Sequence, residues 1–270
     1  TSPHLCGMGG DLWAIVHEPG REPVVLNASG RAGSGVDAAG LRAAGHELVP
    51  FRGDLAAVPV PGCVDGWMAL LDRYGRLPRA EVLAPAIGAA EDGFAASWLL
   101  ALGAFLVDHL EVAGMHAGLQ EGDVVRRPGV ADALRAIVAD GRDGFYGGTF
   151  GAGLLALGAG TFTGEDLQRV QADWHEALGL EVFGHEVWTA PPGSQGYLAL
   201  AILHVVEQLG ILRDDADPAA LRALVTAAVV TGEERPTLLH EGASGASLLT
   251  LVAFLLLAVM DGRRGLREVW

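Results

Sequence analysis

The order in which the hydrophobic period changes along the chain limits the fold more than any single motif. Residues 11–16 (Asp-Leu-Trp-Ala-Ile-Val) and 23–26 (Pro-Val-Val-Leu) read as short strands. Glu18-Pro19-Gly20 supplies a turn between them, so a hairpin is expected. From Pro61 onward apolar residues recur at helical spacing. Residues 62–74 place Val64, Trp67, Met68 and Leu71 on one face and stop at Gly75, and residues 81–91, 98–110 and 130–139 repeat the pattern. Thr163 reads as an N-cap, with Asp166 at the capping-box position. Two strands around a turn follow in residues 181–189, and Pro191-Pro192 stops the second. Residues 195–209 and 218–230 are helical again. This order does not alternate as βαβ units do, so an α+β fold is expected rather than a doubly wound sheet. No low-complexity linker interrupts the chain, and residues 1–270 are read as a single domain.

Composition narrows the function. Hydrophobic residues make up 50% of the chain, enough for a buried core, and the net charge is −15. That balance argues against nucleic acid and against docking on anionic lipid, which both need clustered cations. All 18 basic residues are arginine, a bias that suggests a high-GC genome such as an actinobacterium's. The two cysteines, Cys6 and Cys63, form no CxxC pair, so buried free thiols are expected and no metal site or cofactor. The N-terminal residues show no basic and apolar leader, which favours a cytoplasmic protein. The longest apolar run, residues 248–260, would reach only about 20 Å as a helix and suits a buried helix or a partner contact better than a membrane span.

The glycine-rich segments do not bind phosphate by any known pattern. Gly30-Arg31-Ala32-Gly33-Ser34-Gly35 lacks a following Lys-Ser/Thr, and Gly7-Met8-Gly9-Gly10 precedes a strand instead of following one.

Six short segments, taken in order, carry a resemblance. They are Pro3-His4-Leu5-Cys6-Gly7-Met8-Gly9-Gly10, then Val60-Pro61-Gly62-Cys63-Val64-Asp65-Gly66-Trp67, then the stretch from Tyr74-Gly75-Arg76-Leu77-Pro78 through Leu83-Ala84-Pro85 to Glu91-Asp92-Gly93-Phe94. Asp143-Gly144-Phe145-Tyr146-Gly147-Gly148, Asp166-Leu167 through Trp174, and Ala190-Pro191-Pro192-Gly193-Ser194-Gln195-Gly196 complete the series. Together they resemble the larger, N-terminal part of the γ-glutamyltranspeptidase family. The resemblance implies the four-layer αββα fold of N-terminal-nucleophile hydrolases, with this chain supplying the helix-rich large-subunit part. It also implies a precursor that cuts itself. The nucleophile is then the N-terminal Thr of a small chain, whose α-amine serves as base. Thr1 does not fit that role, because nothing after it resembles the TTxxxxVxDxxG of the small chain.

The family holds its donor's α-carboxylate with an Arg in an R-E-x-A-P segment, a task suited to a bidentate guanidinium. Aligned on Ala32, this chain has Ser29 and Gly30 at the Arg and Glu positions, and Arg31 one residue beyond Gly30. Arg31 and Ser29 are therefore substrate-binding candidates, with a surface-loop role for Arg31 left open. Ser194 and Gln195 are further candidates at a pocket mouth, against simple turn formation by Pro-Pro-Gly-Ser. His240-Glu241 point apart on a helix and are not expected to act together. Asp65 reads as a helix-start charge, and Trp67, Trp98, Trp174 and Trp188 as core or interface residues. The displaced Arg keeps two enzyme readings in play, γ-glutamyl transfer or hydrolysis and a cephalosporin (glutaryl) acylase or biosynthetic acyl hydrolase. A non-catalytic binding scaffold is the reading from another class.

Overall fold

In the computed structural model, residues 5–50, 54–107 and 118–209 are described, with Pro3 and scattered positions from Pro218 to Leu248. Contacts divide the chain into two units. Unit 1 comprises Thr1–Leu12 and Asn27–Asp173; unit 2 comprises Trp13–Leu26 and Trp174–Trp270.

Strands open the chain as the sequence predicts: β1 (Leu12–Val16) and β2 (Val24–Ala28). They belong to one sheet of order β1-β2-β5, where β5 is Asp173–Glu176. β5 has no alternating pattern in Asp-Trp-His-Glu, so nothing local announces it. Val25, Leu26 and Ala28 on β2 are fully buried.

Unit 1 is mainly helical. It runs through α1 (Ala38–Ala43), a 3₁₀ turn at Leu55–Ala57, α2 (Cys63–Tyr74) and α3 (Arg79–Asp92). A two-residue pairing of β3 (Phe94–Ala95) with β4 (Val124–Val125) flanks α4 (Trp98–Val107). Then come α5 (Pro128–Asp140), α6 (Arg142–Tyr146), α7 (Thr149–Leu157) and α8 (Gly164–Gln168). α5 starts with Pro at its first position, where the missing N–H costs nothing. α3 and α5 pack together, and α5 packs on α6. Their apolar faces join the start of α2 in one core of Val60, Val64, Leu83, Leu134, Ile137, Phe145, Tyr146, Phe162 and Leu167. Phe145 is its centre: it stacks on Phe150 at 4.0 Å and meets Tyr146 edge-on at 5.0 Å. Each such side chain contributes about 1.5–3 kcal/mol by leaving water.

The capping box at α8 forms as expected, with Thr163 accepting from the Asp166 N–H and Asp166 returning a bond to the Thr163 N–H. Sequence patterning does not reveal α7, whose glycines and uniformly apolar residues give no clear face.

Unit 2 holds the hairpin of β6 (Leu178–Val182) and β7 (His185–Thr189), joined at Phe183-Gly184, and α9 (Tyr197–Leu209). Ala201, Val205 and Val206 of α9 form its core with Ile202 and Leu224 beside them. Of the helix expected over residues 218–230, the described positions Pro218, Leu221, Leu224, Val225, Ala228 and Val229 are helical, while the apolar run beyond Leu248 lies outside the described residues. Among the described residues, no helix is long and apolar enough to cross a membrane.

Candidate functional site

The loop after β2 is shaped by close backbone approaches. Gly30 has φ +78, and a β-carbon there would overlap the Val60 carbonyl. Only glycine satisfies both conditions. The Val60 N–H donates to the Arg31 carbonyl at 2.8 Å, and the Gly35 N–H donates to Thr161 O at 3.0 Å. Ser34 donates to the Asp166 carboxylate through its N–H and its hydroxyl, each at 3.0 Å. Burial alone would raise the Asp166 carboxyl, but the bonds from Ser34 and Thr163 hold it below its ordinary value. The glycine-rich loop is thus a packed segment gripped on both sides.

Arg31 stands on this loop. Its guanidinium pairs with the Asp173 carboxylate and donates to Val170 O at 3.4 Å. The Arg31 side chain is 22% exposed and Asp173 50%, so one edge of the pair meets solvent. Ser29 turns inward on its own loop: its N–H and hydroxyl donate to Asn27 Oδ1 at 3.0 and 2.8 Å. Ser29 and Arg31 therefore share one loop in unit 1. Ser194 and Gln195 share a turn in unit 2. There Ser194 Oγ accepts from the Gly196 N–H at 3.0 Å, and Gln195 Oε1 accepts from Arg235 at 2.9 Å.

Behind the Arg31 partners lies a buried polar group that the sequence does not disclose. Asp65, expected as a helix-start charge, is 3% exposed and paired with Arg142 Nε at 2.8 Å. Its second oxygen accepts the Gln171 N–H at 2.7 Å. Arg142 Nη2 donates to Leu167 O and Arg169 O at 2.7 and 2.6 Å, and its Cζ sits 4.5 Å from the Tyr146 ring centre. Tyr146 donates its hydroxyl proton to Pro61 O at 2.5 Å. Burial raises the Asp65 carboxyl above its usual range, against the opposing effects of the Gln171 N–H and the Arg142 guanidinium. Asp65 and Arg142 are 77 positions apart, so no local pattern could pair them.

Two further expectations need correction. Cys63 is buried, but Cys6 is exposed. Trp98 is 61% exposed at the start of α4, so of the two roles expected for it, core or interface, the core one is excluded. Thr1, His4, His240 and Glu241 lie outside the described residues. Unit 1 also holds a hollow of about 710 Å³, mainly apolar, lined by Met8, Trp67, Ala90, Phe94, Leu134 and Phe150 among others, with Arg127 and Asp132 supplying charge.

The γ-glutamyltranspeptidase family model matches residues 1–246, and the chain belongs to that family. It is 36% identical over 238 residues to an oxamate amidohydrolase proenzyme of Klebsiella pneumoniae, covering 80% of this chain and 44% of the relative. A glutathione hydrolase-like YwrD proenzyme of Bacillus subtilis is 33% identical over 220 residues, covering 76% and 41%. Among solved structures, a cephalosporin acylase from Bacillus halodurans aligns with TM-score 0.81 and 28% identity, over 94% of this chain and 51% of that one. The Helicobacter pylori γ-glutamyltranspeptidase aligns at TM-score 0.80 and 22% identity, over 94% and 78%. These relatives are all enzymes, and the fold is the α+β fold of N-terminal-nucleophile hydrolases. The chain spans less than half the length of the two curated proenzymes it matches here.

Proposed function

We propose that this chain is the large-subunit portion of an amide-bond hydrolase or acyltransferase of the γ-glutamyltranspeptidase type. Its two units then serve one domain, and a small chain from the same precursor completes the enzyme as a heterodimer. The family match over residues 1–246 carries the reading. The threonine hydroxyl of the small chain attacks the amide carbonyl of the donor, and its α-amine takes the proton and passes it to the departing amine. Water or an acceptor amine then releases the acyl group. Arg31 is the residue of this chain assigned to the donor's carboxylate, with Ser29 beside it; Ser194 and Gln195 are assigned to the pocket mouth. The substrate is a small acyl amide rather than nucleic acid, as the acidic chain suggests. The free cysteines fit a reducing, cytoplasmic setting, and the all-arginine composition fits an actinobacterial source.

The acylase reading stands beside the γ-glutamyl one because Ser29 and Gly30 replace the Arg-Glu pair. A site without that glutamate has less to offer a donor's α-amine. The oxamate amidohydrolase relative, named for a donor with a carboxylate next to its amide, favours a carboxylate-bearing acyl group in either case.

Expression of the complete gene tests the proposal. Intact-mass analysis is expected to show two chains, the smaller beginning with Thr, and hydrolysis of γ-glutamyl, glutaryl or oxamate amides. A single uncut chain without hydrolysis supports the binding-scaffold reading instead.

A further inference from the structure

We infer that the buried Asp65–Arg142 ion pair is a positioning device for Arg31, resting on the assignment of Arg31 to the donor carboxylate. Residues 60–65, which lead into α2, hold Arg31 from two directions. At one end, Val60 fixes the Arg31 backbone through its N–H, and its carbonyl abuts Gly30. At the other end, five residues on, Asp65 fixes the segment that receives the Arg31 guanidinium.

That segment, residues 166–173, is largely irregular after α8, and side chains satisfy its backbone. Arg142 takes the carbonyls of Leu167 and Arg169, and Asp65 takes the N–H of Gln171. Gln171, 2% exposed, folds its own amide back onto Asp166 O and Arg169 O at 3.1 and 2.9 Å. Interleaved with these anchored residues are the two that meet Arg31: Val170 through its carbonyl and Asp173 through its carboxylate. A shift of residues 167–171 therefore moves the partners of the Arg31 guanidinium. An ångström of misplacement in a binding group lowers rate or affinity by up to two orders of magnitude. A buried ion pair between two polar-capable helices contributes little net stability over an apolar pair of the same size. Its specific value here is directional: three donated bonds that fix one segment in register with one arginine.

Asp65 and Arg142 are positioning residues; neither touches the substrate. The test uses the processed two-chain enzyme and two anilides of similar length, glutaryl and the uncharged butyryl. Asp65→Leu/Arg142→Met removes both charges at once, so neither is left buried alone. Arg142→Lys is the milder variant, keeping the charge but losing the forked donation. Formation of two chains and the Tm report folding. The expected result for the paired variant is a KM on glutaryl anilide raised about tenfold, kcat within twofold, and butyryl anilide affected by less than twofold. Arg142→Lys moves the same ratio by about threefold. Arg31→Ala shows the same selective loss, and the paired variant made in that background adds nothing further. Equal losses on both anilides, or effects that multiply with Arg31→Ala, overturn the inference. If Arg31→Ala alone shows no selective loss on glutaryl anilide, the assignment of Arg31 is what fails.

Discussion

Cys6 adjoins the Gly7–Gly10 turn and the Cys63 N–H donates to Gly10 O at 3.0 Å, yet the two thiols differ in chemistry. Burial, with Asp11 and Cys6 nearby, pushes the Cys63 thiol up to about 11. It is therefore almost entirely protonated at neutral pH, while Cys6 is open to solvent. Native protein treated with iodoacetamide at pH 8 should gain one carbamidomethyl group by mass, and denatured protein two. Tyr146→Phe removes the donor from Pro61 O inside the core and should lower stability by about 1–3 kcal/mol, read by denaturant melts. Asp166 works in the opposite sense to Cys63: its folded value is depressed. The stability it contributes is present above the ordinary carboxylate value of 3.8 and is lost as pH falls through the lower folded value. Asp166→Asn should flatten that acid-side loss in thermal melts taken between pH 5 and 3. These residue-level facts were partly legible. The capping box could be read from Thr163 and Asp166, but the second partner of the Asp166 carboxylate, Ser34, is 132 positions away.

Among the elements, the Gly30 loop makes the clearest prediction. Gly20 and Gly30 share nearly the same φ, +79 and +78, but Gly20 has open space where Gly30 has the Val60 carbonyl. Gly20→Ala should cost about 1–2 kcal/mol, the conformational penalty alone. Gly30→Ala should cost clearly more, because backbone must also move; the gap between the two melting curves measures the close approach. Helices with one apolar face, α2, α3 and α5, were visible in the sequence to within two residues at either end. β5 and the β3–β4 pairing were not, since a strand of two to four residues carries no period and depends on a distant neighbour. The polar spine through Asp65, Arg142 and Gln171 was hidden for the same reason. A buried charge looks like a surface charge until its counter-ion is located.

For the whole molecule, the order of patterns decided the class, and six short segments decided the family. What they did not supply was the pairing of Arg31 with Asp173, 142 positions on. The chain also leaves large apolar groups uncovered: Trp98 61%, Phe105 76% and Leu157 73% exposed. Exposed groups of this kind favour association with a partner. Expressed alone, the chain should elute from size-exclusion columns as mixed assemblies and bind a hydrophobic dye. Expressed with the small chain proposed above, it should elute as one species with dye binding reduced severalfold.

The sheet order β1-β2-β5 sets a clock on synthesis. β2 ends at Ala28, but its neighbour β5 begins only at Asp173. At about 5–20 residues per second, the ribosome needs roughly 7–30 seconds to deliver that partner. Through that interval one edge of a strand as apolar as Val-Val-Leu is open, on a nascent chain already long enough to bury the helices of unit 1. Codon usage between residues 28 and 173, or a chaperone that shields the edge, should therefore govern the yield of folded protein more than changes of speed after residue 176.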